Sequence, residues 1–301
     1  MSVALRAGVV GLGIMGSAYA RHLCEAGLVT TGYDVDAGAR ERFAARGGIA
    51  AASARDVAAG SDVLITALPG VDALEAAFFG PDGIAAGAHA TLVVSEQSTF
   101  TLEVKEQLRA RMAALGVAVL DAPVSGTGSQ AEAKDLTIFA SGERDAFERA
   151  QPVLQTFARD VRHVGAFGTG SKLKYVANLL VTIHNLAAAE AVVLAERAGL
   201  DPQLMLDVLA GSAADSRMLR VRGPLMAGNK FQPAAMKMDV YEKDLQIIDA
   251  FAHAVGAPTP LFAQSLPFYR AAQADGHAKD DTSAIVTSLR ALADPARSTS
   301  L

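Results

Sequence analysis

The chain has 301 residues, 51% of them hydrophobic and 20% charged, with a net charge of −5. This is enough apolar content for a sizeable core in one large or two ordinary domains, and an acidic balance with no cluster of lysine and arginine excludes a nucleic-acid-binding face. One cysteine, Cys24, and six dispersed histidines exclude a disulfide framework and give no metal-ligand spacing, so no metal is expected.

A short apolar strand ending at Val10 runs into Gly11-Leu12-Gly13-Ile14-Met15-Gly16, a helix follows to Gly27, and a second strand at 29–33 ends on Asp34. Each glycine answers a physical need: Gly11 the tight turn, Gly13 the close approach of backbone to a pyrophosphate, Gly16 the packing of helix on strand. The helix N-terminus then offers unpaired N–H groups and a partial positive charge to phosphates. Asp34 stands 21 residues past Gly13, where an acid reaches a ribose 2′-hydroxyl. It would repel a 2′-phosphate, so NAD is expected rather than NADP.

Further strand patterns lie at 63–67, 92–95, 117–120 and 136–140, with amphipathic helices such as 102–115 and 146–157 between them. Strands alternating with helices predict an α/β Rossmann fold, a doubly wound parallel sheet. Ligands bind such sheets beyond the carboxyl ends of the strands, so Gly13, Asp34, Pro69, Thr99 and Ser125 should share one rim. Leu68-Pro69 would line the adenosine side and Ser98-Thr99 the nicotinamide end. The small residues at 121–129 expose backbone N–H groups, and Ser125, Gly126 and Thr127 could cradle a carboxylate; a flexible crossover loop accounts for them equally.

The pattern changes at 165–170. From 171 to 197 there is no proline or glycine, and Gly199 supplies a stop. That predicts a helix roughly 40 Å long at 1.5 Å per residue. It is apolar nearly all round and should be buried. Helical patterns continue at 202–210, 234–255, 261–274 and 282–293, and no strand pattern returns. The expected organisation is a dinucleotide-binding domain at 1–167 and an all-α domain at 168–301, organised on the long interdomain helix, with a tail at 295–301 that frays. The surplus apolar surface of that helix predicts a homodimer or homotetramer. The absence of a signal peptide before Arg6, or of an uninterrupted apolar span, predicts a cytoplasmic protein without a membrane segment.

Lys174 and Asn178 stand four apart on one face at the start of the long helix. Burial would lower the lysine pKa toward neutrality, as a general acid or base requires; a solvated first turn is the alternative. His184, about 15 Å further along, reads as a core histidine or a substrate contact. Lys243-Asp244 lies inside a helix, where a solvated face explains it. Asp281-x-Ser283 opens the last helix as a cap would.

Together these residues resemble the β-hydroxyacid dehydrogenases, the family of 3-hydroxyisobutyrate dehydrogenase and tartronate semialdehyde reductase, over nearly the whole chain. Residues 11–16 resemble the family's cofactor loop. Asp121-Ala122-Pro123-Val124-Ser125-Gly126 resembles its substrate motif, and Gly168-Thr169-Gly170-x-x-x-Lys174-x-x-x-Asn178 its catalytic motif. The resemblance implies hydride transfer between NAD and a small β-hydroxy acid, with Lys174 as general acid/base, Asn178 as its partner and Lys243 near the cofactor. The chain departs from the pattern at Thr127 and Lys134, where the family has glycine, at Glu96 in place of aspartate, and at Ala177 in place of a second asparagine. His184 matches a histidine of the L-threonate dehydrogenase-like branch, and with Asp281-x-Ser283-Ala284 it tilts the expected substrate toward a polyhydroxylated acid. The rival readings are an imine reductase, an oxidative decarboxylase of the 6-phosphogluconate type, and a non-catalytic cofactor-binding scaffold on the same fold.

Overall fold

The computed structural model describes residues 5–294; the tail at 295–301 lies outside the described residues. The chain divides into two compact units, Met1–Lys174 and Tyr175–Leu301, so the division falls inside the long helix.

The first unit alternates strands and helices: β1 (Arg6–Val10), α1 (Ile14–Glu25), β2 (Val29–Tyr33), α2 (Ala37–Ala44), β3 (Ile49–Ala50), α3 (Ala54–Ala59), β4 (Val63–Thr66), α4 (Val71–Phe79), α5 (Ile84–Gly87), β5 (Val93–Glu96), α6 (Leu102–Ala113) and β6 (Ala118–Asp121). The six strands form one parallel sheet in the order β3-β2-β1-β4-β5-β6. This is the doubly wound order, and its topological switch point lies between β1 and β4. Side chains alternate across the sheet, as the period of two requires. Ala7, Val9, Ile65 and Leu120 join Tyr19, Leu23 and Phe157 on one face. Val10, Leu64 and Val94 join Val57, Phe78 and Leu108 on the other. Each such large apolar side chain contributes about 1.5–3 kcal/mol on burial. Tyr19 stacks on Phe157 with ring centroids 4.5 Å apart.

The chain then passes through β7 (Val124–Ser125), α7 (Gly128–Glu132), β8 (Thr137–Ala140), α8 (Arg144–Leu154) and β9 (Asp160–His163). The strand read at 136–140 therefore joins a second, three-stranded sheet, β7-β8-β9, and not the large one. β8 pairs antiparallel with β7 and parallel with β9. β3, β7 and β9 carry no readable pattern: two are two residues long, and β9 is Asp-Val-Arg-His.

The long helix α9 (Thr169–Arg197) has 29 residues. After it come α10 (Pro202–Leu209), α11 (Arg217–Ala227), α12 (Met238–Ala254), α13 (Pro260–Ala272), a π turn over Gln273–His277, a 3-10 turn over Thr282–Ile285 and α14 (Val286–Ala293). α11 is absent from the sequence reading, and α12 begins four residues later than the pattern at 234–255 implies, capped by Lys237.

The expected burial of α9 all round does not hold within the chain. Asn178, Thr182 and Asn185 are buried, whereas Val176 and Leu194 are 55% and 71% exposed. Hydrogen bonding explains why these polar residues are buried beside Leu186 and Val192. Thr182 Oγ1 donates to the Asn178 carbonyl at 2.8 Å, the Tyr241 hydroxyl donates to the same carbonyl at 3.1 Å, and Asn185 Nδ2 donates to the Tyr269 hydroxyl and the Thr282 carbonyl, both at 2.9 Å. By length and composition α9 could cross a membrane, with a mean hydropathy of 1.5 over its most apolar stretch.

Candidate active site

Gly11 takes φ = +92°, and a Cβ there would stand 2.3 Å from the Ala67 carbonyl oxygen, so only glycine makes the turn. A Cβ at Gly16 would stand 1.8 Å from the Gly11 carbonyl oxygen, which is the close packing the motif requires. Gly13 differs: open space surrounds its missing side chain. It is the N-cap of α1, with no side-chain cap and no acid in the first turn. A helix N-terminus left bare beside open space is an anion cradle. Leu12, Ile14 and Met15 complete the loop, Ile14 being exposed and Met15 half-buried.

Asp34 follows β2 and is half-buried. Its Oδ2 accepts the Leu12 N–H at 2.6 Å and its Oδ1 accepts the Asp36 N–H at 2.9 Å. The carboxylate is thus fixed against the glycine loop while each oxygen keeps a further lone pair for a ribose hydroxyl. Arg40 lies over the Tyr33 ring at 5.6 Å and donates to the Asp34 carbonyl oxygen at 2.6 Å. A cavity of about 350 Å³ opens beside Leu12 and Gly13, with Arg21 and Arg42 in its wall. Both arginines are paired, Arg21 with Glu25 and Glu132 and Arg42 with Asp36.

The ends of β4 and β5 add the rest of the rim. Leu68 N–H donates to Ser98 Oγ at 2.8 Å, and Ser98 N–H donates to Glu96 Oε1 at 2.9 Å. Ser98 is buried, Thr99 half-buried and Pro69 exposed. Gly13, Asp34, Pro69 and Thr99 therefore all follow carboxyl ends of strands in the large sheet, whereas Ser125 sits one strand beyond, in β7.

Gly126 takes φ = +143° directly after Ser125. Thr127 caps α7, its N–H donating to the Gln130 side chain at 3.0 Å, and its hydroxyl is bonded to Ser129 at 3.0 Å. Lys134 takes φ = +57°, one of two non-glycine residues with positive φ among the described residues, so the backbone keeps the conformation that favours glycine at this departure from the family pattern.

Lys174 is 8% exposed in the second turn of α9, which decides against a solvated first turn. Asn178 is 6% exposed. Its Nδ2 donates to Asp244 Oδ2 at 2.9 Å, which fixes the amide, and Lys243 Nζ lies 3.8 Å from Asp244 Oδ1. Asp244 is buried and is not the solvated face expected of that segment. His184 is exposed, so the core-histidine reading is overturned. Asp281 is buried and engaged within its own unit: Oδ1 accepts the Ser283 N–H at 2.9 Å, and Oδ2 accepts the N–H groups of Ala235 and Met236, both at 3.1 Å. Capping accounts for the Ser283 bond; the carboxylate also ties down residues 235–236 and lies 3.8 Å from Arg222 Nε.

Two features escaped the sequence reading. Asp244 as the partner of Asn178 depends on tertiary contact and had no local signal. Lys105 did have one: it lies on the same helical stripe as Leu108 and Met112, and all three are buried. No three of His, Cys, Asp and Glu among the described residues gather as a metal site.

Residues 6–165 match the NAD binding domain of 6-phosphogluconate dehydrogenase, and residues 168–289 match the model described as NAD-binding of NADP-dependent 3-hydroxyisobutyrate dehydrogenase. L-threonate dehydrogenase of Cupriavidus necator is 35% identical over 280 residues, 93% of this chain and 94% of its own length. The crystal structure of 3-hydroxyisobutyrate dehydrogenase from Salmonella typhimurium is 34% identical with a TM-score of 0.85, covering 94% of this chain and 99% of that one. An imine reductase from Myxococcus stipitatus, solved with NADP+, is further away, at 20% identity and a TM-score of 0.58 over 94% of this chain and 99% of that one, and shares the fold alone. With its bare helix N-terminus, open glycine cradle and the acid fixed against the glycine loop, the first unit fits a nicotinamide dinucleotide, and the chain belongs to the β-hydroxyacid dehydrogenase family.

Proposed function

We propose that the chain oxidises a small β-hydroxy acid reversibly with NAD, using Lys174 as general acid/base. The observation that carries this is a lysine 8% exposed near the start of α9, with an equally buried, amide-fixed Asn178 one turn further along. Gly11–Gly16, Asp34, Leu68-Pro69 and Ser98-Thr99 hold the dinucleotide, and Lys243 attends it. A bound nicotinamide supplies the acceptor for the hydride that leaves the C–OH carbon. Lys174, as the neutral amine, takes the hydroxyl proton and becomes the ammonium; in the reverse direction the ammonium returns that proton to the carbonyl oxygen. Asn178 orients the hydroxyl, and Ser125 with the Gly126 backbone receives the carboxylate.

Asp34 and Asp36 side by side favour NAD over NADP. A 2′-phosphate would meet two carboxylates, while Arg40 is bonded to backbone and Arg42 to Asp36. Likeness to L-threonate dehydrogenase favours a polyhydroxylated acid. His184, exposed on α9, is the proposed contact to such a substrate, while Asp281 is engaged by backbone N–H groups and Arg222. The exposed Leu173, Val176, Leu180 and Leu194 on α9 support a homo-oligomer, and the bonded polar face of the same helix supports a soluble, cytoplasmic protein.

The test is reduction of NAD and of NADP across three- to six-carbon hydroxy acids. The expected result is turnover of a β-hydroxy acid with NAD at least about tenfold preferred, equivalent to one carboxylate–phosphate repulsion of about 1.4 kcal/mol. Turnover of imines alone, release of CO₂, or no turnover with any acid would each replace this reading with a rival.

A further inference from the structure

Beneath the rim of the first unit lies an ionic cluster that the proposed chemistry does not use. Lys105 of α6, Glu96 at the end of β5 and Asp121 at the end of β6 all have side chains with no exposed surface. Lys105 Nζ contacts Glu96 Oε2 and donates to Asp121 Oδ1 at 3.0 Å. Burial pulls this ammonium down, and the two carboxylates more than reverse it, holding it above the ordinary lysine range. The triad places one lysine between two carboxyl groups in the interior. Such a cluster is weak evidence for stability, because well-packed apolar residues of the same volume do as well or better. Its connections indicate another purpose.

On one side, Glu96 Oε1 accepts the Ser98 N–H, and Ser98 Oγ accepts the Leu68 N–H, which is the rim read as cofactor-binding. On the other, Asp121 accepts both polar groups of Ser171: the N–H at 2.8 Å on Oδ2 and the hydroxyl at 2.8 Å on Oδ1. Ser141 Oγ accepts the Gly170 N–H at 3.0 Å and donates to the Asp121 carbonyl oxygen at 3.0 Å. Two N–H groups of the first turn of α9, which no carbonyl of the helix can reach, are thereby capped from the sheet. That turn has no slack: a Cβ at Gly170 would stand 2.2 Å from the Phe139 carbonyl oxygen. Lys174 follows Ser171 by three residues on the same buried side.

We propose that the Glu96–Lys105–Asp121 triad, acting through Ser171, is the positioning device that holds the first turn of α9, and so Lys174, in fixed register with the cofactor rim. The inference rests on the reading of Lys174 given above. Ser171 is then a positioning residue. The carboxylates set direction where apolar packing would set only distance, because each oxygen of Asp121 has its own donor.

The experiment compares Ser171→Ala, Ser171→Thr and Lys174→Ala with the unaltered enzyme in turnover, NADH affinity by fluorescence and thermal melting. Ser171→Ala deletes one hydrogen bond and leaves the triad whole. The expected result is a fall in kcat of about tenfold or more, the scale of a small misplacement of a reacting group, with NADH affinity unchanged within about twofold. Ser171→Thr, which keeps the hydroxyl, recovers most of the loss. Turnover of Ser171→Ala near the unaltered value, a loss that Ser171→Thr does not recover, or a loss matched by weaker NADH binding would overturn the positioning role. An inactive Lys174→Ala beside a fully active Ser171→Ala would sink the positioning claim alone. An active Lys174→Ala would overturn the reading of function and this inference with it.

Discussion

The two units bury their polar groups in different ways. In the first, the buried group beneath the start of α9 is ionic: Lys105 bridges Glu96 and Asp121, and Asp121 accepts from Ser171. In the second, the groups along α9 are uncharged: the Asn178 carbonyl, Thr182 and Asn185 meet the hydroxyls of Tyr241 and Tyr269, while the buried Arg222–Asp281 pair lies off that helix. The difference bears on how each unit fixes its part of the site. An ionic cluster is all-or-none, since removing one member strands a charge in a low dielectric. A ladder of hydroxyls and amides is graded, since each bond is worth only about 0.5–1.5 kcal/mol. Lys174 follows the turn held by the first kind of interior, and the Asn178 carbonyl sits in the second while its amide is fixed by Asp244.

The largest effect that would test this contrast is on stability. Lys105→Met leaves two buried carboxylates facing each other and should lower the free energy of unfolding by about 3–5 kcal/mol, measured by urea titration. A loss below about 1 kcal/mol would show that the triad is no more than another polar contact. At the other end, Tyr241→Phe removes a hydroxyl that donates to the Asn178 carbonyl while Thr182 still donates there. It should cost about 1 kcal/mol in the same titration. A cost of several kcal/mol would mean that the second interior is as all-or-none as the first.

How much of this was legible in the sequence follows from the range of each interaction. The strand at 29–33 and its terminal acid are local, and β2 and Asp34 fall where the pattern puts them. The glycine loop is local too, and the backbone demands at Gly11 and Gly16 are those the motif implies. The second sheet was not legible, because strands of two to four residues hold at most two turns of alternation, and β9 alternates charge with a single valine. The inward face of α9 was misread for a related reason. Apolar periodicity assumes that apolar residues alone face the core, and here hydrogen-bonding tyrosines from α12 and α13 draw Asn178, Thr182 and Asn185 inward beside Leu186 and Val192. The triad lies between: its members stand 9 and 16 residues apart, so the pairing is tertiary. A lysine on the apolar stripe of α6 nonetheless announced that a countercharge had to be found.

The central claim is that one buried lysine moves the substrate proton. Lys174→Ala, assayed for NAD reduction with the best hydroxy acid and for NADH affinity by fluorescence, tests it most directly. The account predicts a fall in kcat of about a hundredfold or more with NADH bound as tightly as before. Turnover within a few-fold of the unaltered enzyme would contradict it.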